Sequence, residues 1–310
     1  MTKPNIARAI SAKLGAVVCF IAMATLVKIA SDTVPPGEIV FFRSFCALPV
    51  ILIWLSWRGE LGSGLKTDNL QGHVWRGLVG TMGMSLGFAA LGLLPLSEVK
   101  AIQYAQPVLV VIFAAMFLGE RVRVFRLTAV ALGMTGVLVI MWPRFTALDA
   151  GGVDPALALG AVLAFGSAVA AGLAHVFVRK LTATEPTAAI VFYFAITASS
   201  LSLITIPFGW VMPTAYEFAL LISMGLIGGV GQILLTASYR YADASVVAPF
   251  EYASILLALG IGYFVFSEVP TLMMLGGIAL IVLAGIVIIW RERQLGQDRA
   301  KARKVMTPQG

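Results

Sequence analysis

Ten runs of about twenty predominantly apolar residues divide this chain, at 11–30, 37–57, 74–94, 97–118, 124–142, 156–177, 188–209, 216–239, 244–266 and 271–290. A helix rises ~1.5 Å per residue, so each run can cross the ~30 Å hydrocarbon core of a bilayer. Inside that core every backbone N–H and C=O needs a partner within the protein, which leaves helices or closed barrels. Runs this long without alternation select helices. Of the 310 residues, 59% are hydrophobic and 12% charged. So few charges could not cover that much apolar surface in water. The expectation is an all-α membrane protein with ten transmembrane helices.

Lys and Arg sort by side. With the N-terminus in the cytoplasm, eighteen fall inside: Lys3, Arg8, Lys13, Arg58, Lys66, Arg76, Arg121, Arg123, Arg126, Arg179, Lys180, Arg240 and six in the tail. Only Lys100 and Arg144 fall outside, and Lys28 and Arg43 lie within helices. Positive charge is retained on the cytoplasmic face, so both termini are expected there. The basic tail, 291–310, fits either anionic headgroups or solvent. The net charge of +7 does not point to nucleic acid, because no basic face is interleaved with aromatics. Cys19 and Cys46 sit in apolar runs, and His73 and His175 lack ligand spacing, so no metal or disulfide is expected. No cleavable signal peptide is evident.

The chain repeats itself. At an offset of 148, Ser97 meets Ser245, Tyr104 meets Tyr252, Ala105 meets Ala253 and Glu120 meets Glu268. The same offset pairs Gly80 with Gly228, Gly83 with Gly231 and Trp142 with Trp290. An offset of 145 lays LGAVVCF of the first run on LGAVLAF of the sixth. The expected domains are therefore 1–146 and 147–290, five helices each, followed by the tail. Five is odd, so the second half enters the membrane from the opposite side. Such inverted repeats are the architecture of many secondary transporters.

Four stretches carry a family likeness: GEIVFFRSFCALPVIL, LPLSEVKAIQYAQPVLVVIFAAMFLGERV, GGVGQILLTASYRYADASVVAPFEYASI and LGGIALIVLAGIVIIWRER. Through them nearly the whole chain resembles the drug/metabolite transporter superfamily, in its EamA branch. The resemblance implies two five-helix repeats, a bacterial inner membrane and a central cavity lined largely by helices 1, 3, 4, 6, 8 and 9. It also implies small organic solutes, among them amino acids, riboflavin, S-adenosylmethionine and metallophores. VAPFEY is most similar to the riboflavin and S-adenosylmethionine uptake group.

Glu251 stands about seven residues, or ~10 Å, into the ninth run. An ionised carboxylate there should not face lipid, so it is a candidate for binding solute or carrying a proton. Its repeat partner is Gln103, and each is followed by tyrosine, Tyr252 and Tyr104. These four residues and Gln232 are the candidate solute-binding set, with the alternative that Glu251 ties the ninth helix to a neighbour. Pro107 and Pro249 are hinge candidates, because proline frees a backbone carbonyl. Arg43 is expected to pair with Glu38 or Glu98 as a gate or a structural brace at the outer face. Lys28 and Lys100 are expected to snorkel to headgroups. His175 is expected at the cytoplasmic interface, and Glu120 and Glu268 to cap the helices that follow them. Gly83/Gly87 and Gly225/Gly229 are spaced for close helix packing.

The function expected is a secondary carrier of a small organic metabolite, with a slight preference for uptake of a planar aromatic compound such as riboflavin. Export of amino acids or related metabolites is the alternative, and a channel is the alternative of another class. No nucleotide-binding motif suggests an ATPase subunit, no cofactor is expected, and no nucleophile–base or metal set suggests an enzyme.

Overall fold

The computed structural model describes residues 6–118, 124–149, 155–241, 250, 253–284, 286, 287 and 290. They form ten helices: α1 (Ile6–Ala30), α2 (Pro36–Trp57), α3 (Leu70–Leu93), α4 (Leu96–Gln103 and Ala105–Leu118), α5 (Val124–Asp149), α6 (Pro155–Leu181), α7 (Thr187–Ser202), α8 (Ala215–Tyr241), α9 (Ala253–Phe266) and α10 (Leu272–Ala284). A 3-10 turn, Leu203–Phe208, extends α7. Helices α1, α2, α3, α6, α7 and α8 are each long and apolar enough to cross a membrane. The protein is an all-α, multi-pass membrane protein built as two inverted five-helix repeats.

Most boundaries fall within a few residues of the apolar runs, and two differences have physical causes. Helix α2 breaks at Cys46, between segments Pro36–Phe45 and Ala47–Trp57, and α4 breaks at Tyr104. Each break stands three residues before a proline, Pro49 and Pro107. Proline cannot donate to the carbonyl four residues back and its ring crowds it, so the helix turns just ahead. The hinge candidate Pro107 thus lies in the helix just beyond an actual break. Pro249 lies outside the described residues. Helix α5 runs through Pro143 to Asp149, past the expected end at residue 142.

Packing follows the repeat. The two most extensive interhelix contacts are α1 with α8 and α3 with α6. Counting five helices on, α1 becomes α6 and α3 becomes α8, so these interfaces are equivalents. Both rely on glycine. A methyl on Gly83 would lie 3.1 Å from Ala171 N, one on Gly87 2.8 Å from Ser167 Oγ, and one on Gly231 3.0 Å from Cys19 Cβ. Helices α2 and α7 both start after a proline held near φ −65°, Pro35 and Pro186.

Each end of the bundle is tied across the halves. Where α1 and α3 begin, His73 Nε2 lies 3.3 Å from Glu185 Oε2 and Arg240 Nη2 donates to Glu185 O at 2.6 Å. Burial pushes the Glu185 carboxyl up, but hydrogen bonds from Thr67 and His73 outweigh it and hold the group below its ordinary range. At the other end Glu268 accepts from Leu96 N at 2.8 Å, Ser97 N at 3.2 Å and Ser97 Oγ at 3.0 Å. Glu268 therefore caps α4 in the opposite half, not the helix after it; Glu120 lies outside the described residues. Lys28 does not snorkel: its Nζ donates to Leu91 O at 3.0 Å and Leu94 O at 2.7 Å, closing the end of α3.

Candidate functional site

A cavity of about 220 Å³ lies between the halves. Helices α1, α3 and α4 wall it on one side and α6, α8 and α9 on the other, with α2 and α7 each adding a side chain, Arg43 and Phe194. The last two helices go beyond the six expected to line it. Ligand pockets commonly span ~300–1,000 Å³, so this one suits a small solute.

Three of the five expected solute-binding residues meet here. Gln103 stands at the break in α4, donates from Nε2 to Ser167 Oγ at 3.1 Å and accepts from Lys100 Nζ at 3.2 Å. Tyr104, the break residue itself, hydrogen-bonds Ser254 at the start of α9. Gln232 of α8 is buried against the same space. Glu251 and Tyr252 lie outside the described residues, just ahead of Ser254. The break in α4 is what aims two consecutive polar side chains at one cavity.

The expected outer pair does not form. Glu38 Oε2 accepts from Val211 N at 3.0 Å, and no carboxylate among the described residues approaches Arg43. Five residues along a helix is ~140° around it, so Glu38 and Arg43 face different neighbours. Glu98 is buried at the start of α4 and is not a partner of Arg43. Arg43 instead turns inward to the cavity, with its Cζ 5.4 Å from the Phe194 ring centroid.

Four other lining residues escaped the sequence reading. Arg76 lies 3.9 Å over the same ring and is 4% exposed. Lys13 is buried in α1, its Nζ 5.9 Å from the Tyr239 ring. Lys100 lines the cavity instead of reaching headgroups. His175 lies against the cavity, its Nδ1 3.0 Å from Gln106 Nε2. One signal was available. Residues 39–43 read IVFFR and 190–194 read IVFYF. Arg43 and Phe194 are therefore repeat equivalents, and a charge replacing a phenylalanine at such a place marks it.

Lys13, Arg43, Arg76 and Lys100 line the site, and the described lining residues include no Asp or Glu. Such a wall attracts anions and disfavours cations. No described group of three or more His, Cys, Asp or Glu could hold a metal.

Comparison with known proteins agrees with this geometry. Residues 7–142 and 158–291 each match the model of the EamA-like transporter family. The pseudopaline exporter CntI of Pseudomonas aeruginosa strain UCBPP-PA14 is 35% identical over 275 residues, 87% of this chain and 91% of the relative. The S-adenosylmethionine uptake transporter of Rickettsia bellii is 28% identical over 257 residues, 83% of this chain and 84% of the relative. A solved crystal structure superposes with a TM-score of 0.66 at 23% identity, covering 93% of this chain and 98% of that one, which supports the fold.

Proposed function

The chain belongs to the EamA-like transporter family, and from that premise we propose that it is a secondary carrier exporting a small organic metabolite across the bacterial inner membrane by alternating access. The observation that carries this is the cavity enclosed by helices of both halves, with polar side chains from each on its wall. Two similar halves that rock about a shared site expose it to each side in turn. The ties at the two ends are suited to that motion. Opening one end means parting Glu185 from His73, and opening the other means lifting Glu268 off the start of α4. Both termini are placed in the cytoplasm, on the charge distribution of the loops. The domain division at residues 146 and 147 follows the repeat.

Export is favoured over uptake because the 35% identical relative is named as an exporter. A flavin is disfavoured, because neither relative reported above is named for one. Glu251 and Tyr252 belong to the same site in this proposal, with Glu251 as the candidate proton carrier.

Reconstitution tests this. Proteoliposomes loaded with a neutralised small-molecule extract of bacterial cells should lose particular solutes, as read by mass spectrometry. Their flux should saturate and be stimulated by the same solute on the far side. Flux that rises linearly with concentration would identify a channel, and loss of no solute would end the carrier proposal. Glu251→Gln should cut flux or shift its pH profile while expression holds; unchanged flux at every pH would remove Glu251 from the site.

A further inference from the structure

Arg43 and Arg76 are 3% and 4% exposed, and both face the cavity. Arg43 Nε, Arg76 Nε and Arg76 Nη1 are buried without a hydrogen-bond partner. What each guanidinium does have is the face of Phe194. A cation–π contact is a modest attraction. Holding an ion away from bulk water costs more than such a contact returns, even after relaxation. The ring therefore does not offset the burial of two like charges side by side.

The backbone is shaped to keep the pair in place. A methyl on Gly80 would collide with Arg76 Nη1, and one on Gly228 would lie 3.2 Å from Arg43 Nε. Gly80 and Gly228 are repeat equivalents, so each half contributes one glycine to seat one arginine. The surroundings provide donors from Lys100, Gln103 and Gln232 on the same cavity.

We propose that Arg43 and Arg76, seated on Phe194 between Gly80 and Gly228, form the subsite that holds a carboxylate of the transported solute. A guanidinium presents its N–H groups as a planar fork that matches a carboxylate, and two forks on one ring match one carboxylate from two sides or two on one small molecule. The solute class is thus an organic acid or an acidic amino-acid derivative. The assignment rests on the carrier proposal above for its biological meaning, and on the unpartnered arginines for its chemistry.

The test uses purified full-length protein in detergent and follows the melting temperature. The probes are sodium glutarate, L-glutamate and citrate, against glutaramide, sodium chloride and sodium sulfate at matched ionic strength. At least one carboxylate should raise the melting temperature saturably, and glutaramide and chloride should not. Arg43→Gln and Arg76→Gln should each weaken half-saturation at least tenfold. Gly80→Ala, which keeps both charges but displaces one, should weaken it as well. A saturable response to sulfate alone, or equal responses in wild type and variants, overturns the assignment. Should the variants not fold, phenylglyoxal modification of the wild type replaces them. The stabilising carboxylate should slow adduct formation at Arg43 and Arg76 at least fivefold, and equal rates overturn the proposal. Counterflow in proteoliposomes separates the two proposals. Saturable flux that no carboxylate competes with retains the carrier and removes the subsite. Carboxylate binding without saturable flux retains the subsite and removes the carrier.

Discussion

The first half of the chain places four cations on the cavity, Lys13, Arg43, Arg76 and Lys100, while the described lining residues of the second half carry no lysine, arginine or carboxylate. At the repeat-equivalent positions the second half has Ala158, Phe194, Met224 and Ala248. The backbone features, by contrast, are kept in both: Gly80 and Gly228, Gly83 and Gly231, Pro35 and Pro186. The halves are alike where helices must pass closely or start, and unlike where side chains line the cavity. Alternating access needs two scaffolds of matching shape. The side chains on the cavity wall are free of that constraint. The first half brings the cavity its four cations, and the second brings Phe194, Ser167, Gln232 and Ser254.

That asymmetry orders the expected effects. The largest belongs to the double variant Arg43→Gln/Arg76→Gln. Hydrogen bonds to charged groups are each worth ~1.5–3 kcal/mol, so transport should fall by roughly 100-fold or more in reconstituted flux. Phe194→Leu, which removes the second half's contribution to seating both arginines, should cost about tenfold in half-saturation. A comparable loss from the double and the single change would mean that the ring, not the charge, is the anchor. Gln232→Leu, on the neutral wall, removes one ordinary hydrogen bond and should cost about threefold to tenfold in the same assay. An effect as large as that of the arginine changes would break the division of labour between the halves.

The smallest effect concerns the tie at one end of the bundle. The Glu185 carboxyl is held below its ordinary value of 4.5, because hydrogen bonds from Thr67 and His73 outweigh the effect of burial. A depressed carboxyl stabilises the folded state above its unfolded value, and that stabilisation is lost as pH falls through the folded one. Glu185→Gln should therefore lower the melting temperature by a few degrees at pH 7, with the gap to wild type closing only at pH values below the ordinary carboxylate range. A gap that closes as pH rises instead would mean that the depressed carboxylate does not hold this end together.

The helices and the repeat could be read from the sequence because run length and gapless self-similarity are one-dimensional properties. So could Gln103, Tyr104 and Gln232, polar groups in apolar runs that lipid would not tolerate. The charges were harder. Arg76 and Lys13 stand near helix ends, where position alone suggests retention of positive charge in the cytoplasm. Their direction depends on how α1 and α3 rotate against α8 and α6, which the sequence does not state. The same holds for Lys28, whose Nζ donates to two carbonyls at the end of α3. Pro49 went unnoticed because its α2 break has no proline equivalent in α7 until Pro207, in the 3-10 turn.

Counterflow bears most directly on this account. Proteoliposomes of wild type and of Arg43→Gln/Arg76→Gln, preloaded with the carboxylate that best raises the melting temperature, are given a trace of the same compound, isotopically labelled, outside. Wild type should accumulate label transiently above its external concentration, with saturation, and the folded double variant should not. Equal accumulation by both proteins, or label that only equilibrates in wild type, would contradict it.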